Sequence, residues 1–277
     1  MIIRSDWHIH SEHSYDSSLP LLDIANEAMR EGLVGFGITD HVNFNEECYF
    51  EAIRSSSEHV KSLRGEYPTM SLGVELTPVN KPEWDYLALH GNREGYVPCV
   101  SDKPLDMELA LTAEQIAEYG VEYVIGASHW RVDVADRNEP CELDKMIHEW
   151  HRQQMWLAND SRVSVLGHPW YNGRAIWYED FAVVPHSMHD ELFSALKENG
   201  KLIECNPGVL LSYKASEKFQ HQYAEFLREA FEYGLRVCYG SDCHNRYIDY
   251  REKADQLLRA AGFKDGDFSE VIERKVH

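Results

Sequence analysis

The chain has 277 residues, of which 47 are acidic and 27 are basic, so its formal net charge is −20. So acidic a surface repels phosphate backbones, and we expect no binding to long nucleic acids. No apolar run reaches the ~18 residues that a membrane helix needs, and the opening MIIRSDWHIH lacks the apolar core of a signal peptide. With six cysteines but no C-x-x-C pair, the chain is predicted to be cytoplasmic.

Short apolar runs alternate with amphipathic segments along the whole sequence. The apolar runs have the length and composition of buried parallel strands. The seven predicted strands are Ile2–Trp7, Val34–Ile38, Ser71–Leu76, Tyr123–Ala127, Val163–Leu166, Lys201–Cys205 and Leu235–Tyr239.

Helices are predicted between these strands from apolar spacing and from end signals. Thr112-Ala-Glu-Gln115 has the pattern of a capping box, and Gly120 is placed to end the same helix. The other predicted helices are Leu21–Glu31, Glu142–Ala158, Met188–Asn199, Glu217–Tyr233 and Tyr250–Ala261.

The repeated strand-helix order predicts right-handed βαβ units and a parallel sheet. An open doubly wound sheet and a closed barrel both fit this order. The chain has neither G-x-G-x-x-G after its first strand nor G-x-x-x-x-G-K-[ST] anywhere, so the nucleotide-fold fingerprints are missing. Since no low-complexity linker divides the sequence, we predict one domain over residues 1–277.

Histidines and carboxylates mark the ends of six of the seven predicted strands. In a parallel barrel the carboxyl ends of the strands meet at one face, so residues distant in sequence would gather there. Imidazole and carboxylate together ligate zinc, manganese or iron, and nine ligands are too many for one ion. We therefore predict two or three divalent ions, bound by His8, His10, Asp16, His41, Glu75, His129, His168, Asp242 and His244.

Most of the remaining histidines need no special role, because a single histidine in a loop or on a helix is usually hydrogen-bonded or solvated. We predict no ligand function for His13, His59, His148, His151, His186, His189, His221 and His277.

The strand-end motifs, taken in order, resemble the polymerase and histidinol phosphatase (PHP) family. They are D-x-H-x-H from Asp6, T-D-H from Thr39, G-x-E ending at Glu75, S-H ending at His129, G-H-P from Gly167 and G-S-D-x-H from Gly240. The resemblance implies an α/β fold, a distorted TIM-like (βα)7 barrel, with up to three divalent metals.

The resemblance also divides the ligands among the metals. It implies that one metal is bound by His8, His10, Glu75 and Asp242. Glu75 would bridge to a second metal on His129 and His168. The third would be bound by Asp16, His41 and His244, and the position of Asp16 is a histidine in many relatives.

Such a cluster suggests a mechanism for phosphate esters. Two ions roughly 3.5–4 Å apart can share a hydroxide and aim it at phosphorus. The metal-bound hydroxide would be held through Glu75, Asp242, His129 and His168. The ions would also make the pocket locally positive inside an acidic chain.

Several residues near these ligands are candidates for binding substrate. Arg131, Arg174 and Arg246 each follow a predicted ligand and could bind phosphate, although a surface ion pair explains each equally well. Asn206 could orient a ligand or form a turn before proline. His90 could be a ligand, a substrate contact or a loop residue. Four aromatic residues of the loop 170–186 could stack on a substrate or pack the loop, namely Trp170, Tyr171, Trp177 and Tyr178.

Within the family, the length and the S-H, G-H-P and G-S-D-x-H motifs look closest to the histidinol-phosphatase branch. The resemblance therefore implies hydrolysis of a phosphate monoester in histidine biosynthesis, from L-histidinol phosphate to L-histidinol and phosphate. The alternatives are a PHP phosphoesterase for nucleotides or short oligonucleotides, and a metal-stabilised module without activity. An amidohydrolase would normally have a metal-bridging lysine after a middle strand, which no predicted strand end supplies. The sequence leaves the oligomeric state open.

Overall fold

Seven parallel strands form one sheet in the computed structural model, which describes residues 1–80, 106–132 and 141–272. The strands are β1 (Asp6–Ile9), β2 (Phe36–Ile38), β3 (Met70–Leu76), β6 (Tyr123–Gly126), β7 (Val165–Leu166), β8 (Leu202–Cys205) and β9 (Arg236–Tyr239). Their order in the sheet is β1-β2-β3-β6-β7-β8-β9. Two short strands, β4 (Val79–Asn80) and β5 (Met107–Glu108), form a separate antiparallel pair.

The two edges of the sheet meet just beyond β9, which nearly closes the barrel. Asp242 N donates to His8 O at 2.7 Å. His10 N then donates to Cys243 O at 3.0 Å. The predicted distorted (βα)7 barrel is thus confirmed, and the alternative of an open doubly wound sheet is wrong.

Each predicted strand overlaps an observed one, but the first begins and ends later than predicted. Ile2 and Ile3 are buried in the core and precede β1, which starts at Asp6. Ile2 and Ile3 are therefore apolar because they pack in the core, and not because they belong to a strand.

Helices connect the strands around the barrel. They are α1 (Leu21–Arg30), α2 (Glu47–Leu63), α3 (Ala113–Tyr119), α4 (Leu143–Asn159), α5 (His186–Glu198), α6 (Pro207–Leu210), α7 (Glu217–Tyr233) and α8 (Arg251–Ala260). The predicted capping box is present, since Thr112 Oγ1 accepts from Gln115 N and Thr112 N donates to Gln115 Oε1. Among the described residues, no helix combines the length and the apolar character that crossing a membrane requires.

Helix α2 was not predicted, because its buried face is partly polar. Ser56 and Ser57 lie on that face with Ile53 and Val60. Ser56 Oγ donates to Asp40 Oδ2 at 2.7 Å, and Ser57 Oγ donates to Tyr119 O at 2.5 Å. The serines interrupt the apolar spacing that marks a helix in sequence.

Tyr123 fills part of the barrel interior. Its hydroxyl on β6 donates to Trp7 O on β1 at 2.6 Å, across the two strands that separate β1 from β6 in the sheet. An ideal Cβ at Gly37 would lie 1.7 Å from the Tyr123 Oη, so only glycine leaves room for this ring. The barrel is therefore a packed core, and polar residues gather at the carboxyl ends of its strands.

The aromatic loop after β7 mainly packs against the protein. Trp170, Trp177 and Tyr178 are buried, and Trp177 Nε1 donates to Trp170 O at 2.9 Å. Tyr171 is only half-buried. Of the four aromatic residues proposed to stack on a substrate, Tyr171 is the one that the fold leaves partly accessible.

His189 gives a prediction for stability, because it is buried among aromatic rings, including those of Phe181 and Phe226. Burial lowers its pKa to about 4, whereas an unfolded histidine titrates near ~6.5. Protonation therefore favours the unfolded chain, and stability is lost as the pH falls from about 6.5 towards 4. When the pH is lowered from 7 to 4.5, we expect the free energy of unfolding to fall by about 2 kcal/mol less in His189→Phe than in the parent.

Urea unfolding at the two pH values measures this difference. The exposed His221 on α7 gives a control, and His221→Gln should keep the acid sensitivity of the parent. Parallel stability curves for the parent and His189→Phe would contradict the prediction.

Candidate metal centre

All nine predicted ligands gather at the carboxyl end of the barrel, where they form what we call the metal centre. They reach it from strand ends and from the loop after β1, which carries Asp16. The members of the metal centre are His8, His10, Asp16, His41, Glu75, His129, His168, Asp242 and His244. Each lies close to at least one other member.

Glu75 lies in the middle of the metal centre. Its strand, β3, is buried along its whole length, and the Glu75 side chain is 0% exposed. Oε2 has no well-aligned hydrogen-bond donor among the described residues, although imidazole nitrogens surround the carboxylate. Nitrogens within 3.3 Å of its two oxygens belong to His8, His10, His41, His129 and His168.

The first ligand set has the spacing of atoms around one ion. His8 Nε2 lies 3.1 Å from His10 Nε2 and 3.2 Å from Glu75 Oε2. His10 Nε2 lies 3.3 Å from Glu75 Oε2 and 3.1 Å from Asp242 Oδ1. Two ligand atoms ~2.1 Å from the same ion lie roughly 3.0–3.4 Å apart at bond angles of about 90–109°. These residues therefore fit a divalent cation.

The other two sets share members with the first. Glu75 Oε1 lies 3.3 Å from His129 Nε2 and 3.0 Å from His168 Nε2, while Oε2 faces the first set. This is the arrangement that a bridging carboxylate requires. Asp16 Oδ2 lies 3.3 Å from His41 Nε2 and 3.4 Å from His244 Nε2. His10 also belongs to this third group, which the sequence did not predict.

Hydrogen bonds made by their Nδ1 atoms fix the tautomers of two histidines of the metal centre. Thr77 Oγ1 donates to Asn43 Oδ1 at 2.7 Å, so it must accept from His129 Nδ1 at 2.9 Å. His244 Nδ1 donates to Asp242 O at 2.8 Å. In both rings Nε2 is left with a lone pair that faces a carboxylate, as a metal ligand requires.

Glu204, for which the sequence predicted no role, bonds to two members of the metal centre. This buried side chain on β8 accepts from His8 Nδ1 at 2.7 Å through Oε1 and from His168 N at 2.5 Å through Oε2. An ideal Cβ at Gly240 would lie 2.1 Å from Glu204 Oε1, so glycine is needed beside it. A lone glutamate in the apolar run LIEC was the signal in the sequence.

The electrostatics of the metal centre favour bound cations. Burial opposes a charge on His41, but the carboxylates of Glu75 and Asp16 outweigh it and raise its pKa to about 10. Burial likewise opposes the charge on Glu75, yet His41 and His8 hold its pKa well below the usual range. Burial lowers the pKa of His129 to about 3, which keeps this ring neutral as a ligand should be.

Two members of the metal centre have a left-handed backbone conformation, which residues other than glycine rarely adopt. His168 has φ 23° and Asp242 has φ 57°. Such strain costs of order 1–3 kcal/mol per residue and is found mainly at functional sites. The bonds from His168 N to Glu204 and from Asp242 N to His8 O hold these conformations.

Two clefts open beside the metal centre. A cleft of about 170 Å³ is lined by His129, Arg131 and Arg174 among others, so the fold brings these two predicted arginines together. Arg131 is 6% exposed, whereas Arg174 is exposed. The second cleft, of about 480 Å³, leads to Asp242 and His244. Its walls include Tyr171, Lys214 and Tyr250.

The remaining predicted substrate contacts have different positions. Arg246 is exposed and lines neither cleft as the described residues form them. Asn206 accepts from Gly208 N at 2.7 Å at the start of α6, and its amide lies 3.4 Å from Asp242 Oδ2. Both sequence interpretations of Asn206 thus have support. His90 lies outside the described residues.

Comparison with known proteins identifies the family of this fold. A family model described as the PHP domain matches residues 6–208. No curated protein matches the chain by sequence.

Two solved structures resemble the chain over nearly its full length. One is a histidinol phosphate phosphatase from Lactococcus lactis subsp. lactis in complex with zinc, L-histidinol and phosphate. It is 18% identical with a TM-score of 0.62, and the match covers 95% of each chain. The other, from Listeria monocytogenes, is assigned as a histidinol phosphatase and is 11% identical with a TM-score of 0.62, over 91% of this chain and 99% of that one. At these identities the likeness shows the fold.

Glu204 yields a prediction for metal affinity. In Glu204→Gln the charge is lost, and the single amide oxygen can replace only one of the two carboxylate oxygens that accept from His8 Nδ1 and His168 N. We expect divalent-metal affinity to fall about 10–100-fold, as is typical when a partner of a metal-bound histidine is removed. Titration of metal-depleted protein with Zn²⁺ by calorimetry measures the change. Glu118→Gln on the exposed face of α3 is the matched control, and equal affinities for the two variants would refute the role of Glu204.

Proposed function

The chain belongs to the PHP domain family, and from that premise we propose that it is a metal-dependent phosphomonoesterase acting on L-histidinol phosphate. The observation that carries the proposal is the buried carboxylate of Glu75, with imidazole nitrogens around both of its oxygens. A carboxylate in this position can join two cation sites and has little purpose in a protein that binds no metal.

Two to three divalent ions, for which zinc, manganese and iron are all suitable, would occupy the three ligand sets. Bound there, they would supply Lewis-acid activation of water and neutralise the charge of a phosphate ester. The protein holds the ligands in place beforehand. Glu204 orients His8, Thr77 orients His129, and strained backbone at His168 and Asp242 aims two further side chains.

Arg131 and Arg174 are the residues that would bind the phosphate. Both line the cleft that also contains His129 of the metal centre. A guanidinium group binds phosphate oxygens in pairs, and in a chain of net charge −20 such local cations decide where an anion can bind. The buried Arg131 would provide the stronger contact, because its surroundings exclude more water than those of Arg174.

The larger cleft suits the alcohol part of histidinol phosphate. Tyr171 lies between the cleft and the metal centre, with its ring centroid 5.0 Å from that of His168. Aromatic walls favour a flat imidazole through stacking. The related Lactococcus structure holds L-histidinol and phosphate together, which supports the same substrate class here.

Steady-state kinetics with a substrate panel test the proposal. We expect kcat/KM for L-histidinol phosphate to exceed that for p-nitrophenyl phosphate and for nucleoside monophosphates by at least about 10-fold. Glu75→Gln should lower kcat at least about 100-fold, because it removes the shared ligand. A higher kcat/KM for a nucleotide would instead favour a phosphoesterase for nucleotides or short oligonucleotides. Full activity of Glu75→Gln would exclude the metal mechanism.

The arginines are tested separately. We expect Arg174→Gln and Arg131→Gln to raise KM for the phosphate ester about 10-fold or more, since each removes a charge-assisted hydrogen bond worth about 1.5–3 kcal/mol. Arg246→Gln is the matched control and should leave KM unchanged, because Arg246 lines neither cleft. A rise in KM in the Arg246 variant alone would reverse the assignment.

A further inference from the structure

A second group of metal-binding side chains lies outside the metal centre, and we call it the outer triad. It consists of Glu12 and His13, in the turn after β1, and His59 on α2. From the sequence we expect no ligand function for His13 and His59, which are 46 residues apart. The fold places their imidazoles edge to face with ring centroids 5.4 Å apart.

The spacing of the outer triad matches that of atoms around one ion. His13 Nε2 lies 3.1 Å from His59 Nδ1, and His59 Nδ1 lies 3.7 Å from Glu12 Oε1. Two ligands ~2.1 Å from a tetrahedral ion lie roughly 3.4 Å apart, which is between these two distances. One ligand atom from each residue lies within 4.8 Å of the others.

The ligand atoms are held in place by other bonds. Glu12 Oε2 accepts from Leu21 N at 2.5 Å, at the first residue of α1, which leaves Oε1 directed towards His59. Glu12 N donates to Leu19 O at 2.8 Å, and His13 N donates to Ser11 Oγ at 3.2 Å. Binding of an ion would therefore require less ordering of side chains, and lose less conformational entropy, than binding to freely moving ligands.

We propose that the outer triad is a further metal site, which binds one Zn²⁺ through two imidazoles and one carboxylate. This is a ligand set that zinc accepts with its remaining position open to water. Glu12 and His59 are each about one-third exposed, with side-chain exposures of 34% and 33%, so the ion exchanges with solvent. No member of the outer triad belongs to the metal centre.

The bound ion would attach α2 to the turn that connects two members of the metal centre. The turn lies between His10 and Asp16, and its Ser11 already donates to the buried Asp40 through N at 2.6 Å and Oγ at 2.8 Å. Ser56 of α2 donates to the same carboxylate. Zinc at the outer triad would add a second connection along α2 and stabilise the turn that carries Asp16.

Zinc content distinguishes this site from the metal centre. Wild type, His13→Gln, His59→Gln and Glu12→Gln are equilibrated with a zinc buffer at micromolar free Zn²⁺ and analysed by mass spectrometry. Glu12→Gln keeps an oxygen that can accept from Leu21 N but loses the charge. We expect each of the three variants to bind one zinc less per chain than wild type. His221→Gln, which changes an exposed histidine on α7, should bind the wild-type amount.

Two further measurements complete the test. Circular dichroism shows that the variants are folded, and zinc should raise the Tm of the wild type, already saturated at its metal centre, more than that of His59→Gln. Crystals soaked in zinc should show an anomalous peak ~2.0–2.2 Å from the three ligand atoms. Equal zinc content in all five proteins, or an equal loss in His221→Gln, would overturn the proposal. Loss of zinc from the metal centre is measured separately in Glu75→Gln and does not change the zinc expected at the outer triad.

Discussion

The structure depends on the burial of one carboxylate. Glu75 is fully enclosed at the end of β3, and an isolated charge there would be very unfavourable unless opposite charge surrounded it. Five imidazoles supply the surroundings, and they come from four other strand ends of the barrel. Closure of the sheet between β1 and β9 is therefore a condition for the metal centre, because it brings His8 and Asp242 to opposite sides of one ligand set.

A second layer of polar residues makes these surroundings specific. Glu204, Thr77 and Asp40 are buried, and each bonds to a ligand or to the turn that carries one. Glu204 and Thr77 determine which nitrogen of His8 and of His129 carries a proton and which keeps a lone pair, whereas Asp40 holds the turn that carries Asp16. The strained backbone at His168 is held by the bond from its N to Glu204, and that at Asp242 by the bond from its N to His8 O.

Much of the architecture was readable from sequence because the barrel repeats a simple rule. Each apolar run predicted a strand, and the His, Asp or Glu at its end predicted a position on one face, so nine ligands were named before any contact was known. Helix α2 escaped this reading because Ser56 and Ser57 occupy its buried side. For Trp170, Trp177 and Tyr178 the sequence left open both stacking on a substrate and packing of the loop, and their burial shows that they pack against the core.

By itself the sequence determined the α/β class and named the nine candidate ligands, because strand periodicity and strand-end residues are local properties of the chain. Only the tertiary structure decided that His10 belongs to two sets and that Arg131 and Arg174 share a cleft. It also joined Glu204 to His8 and His13 to His59. These are pairings between residues far apart in the chain, and closure of the barrel and the docking of α2 bring them together.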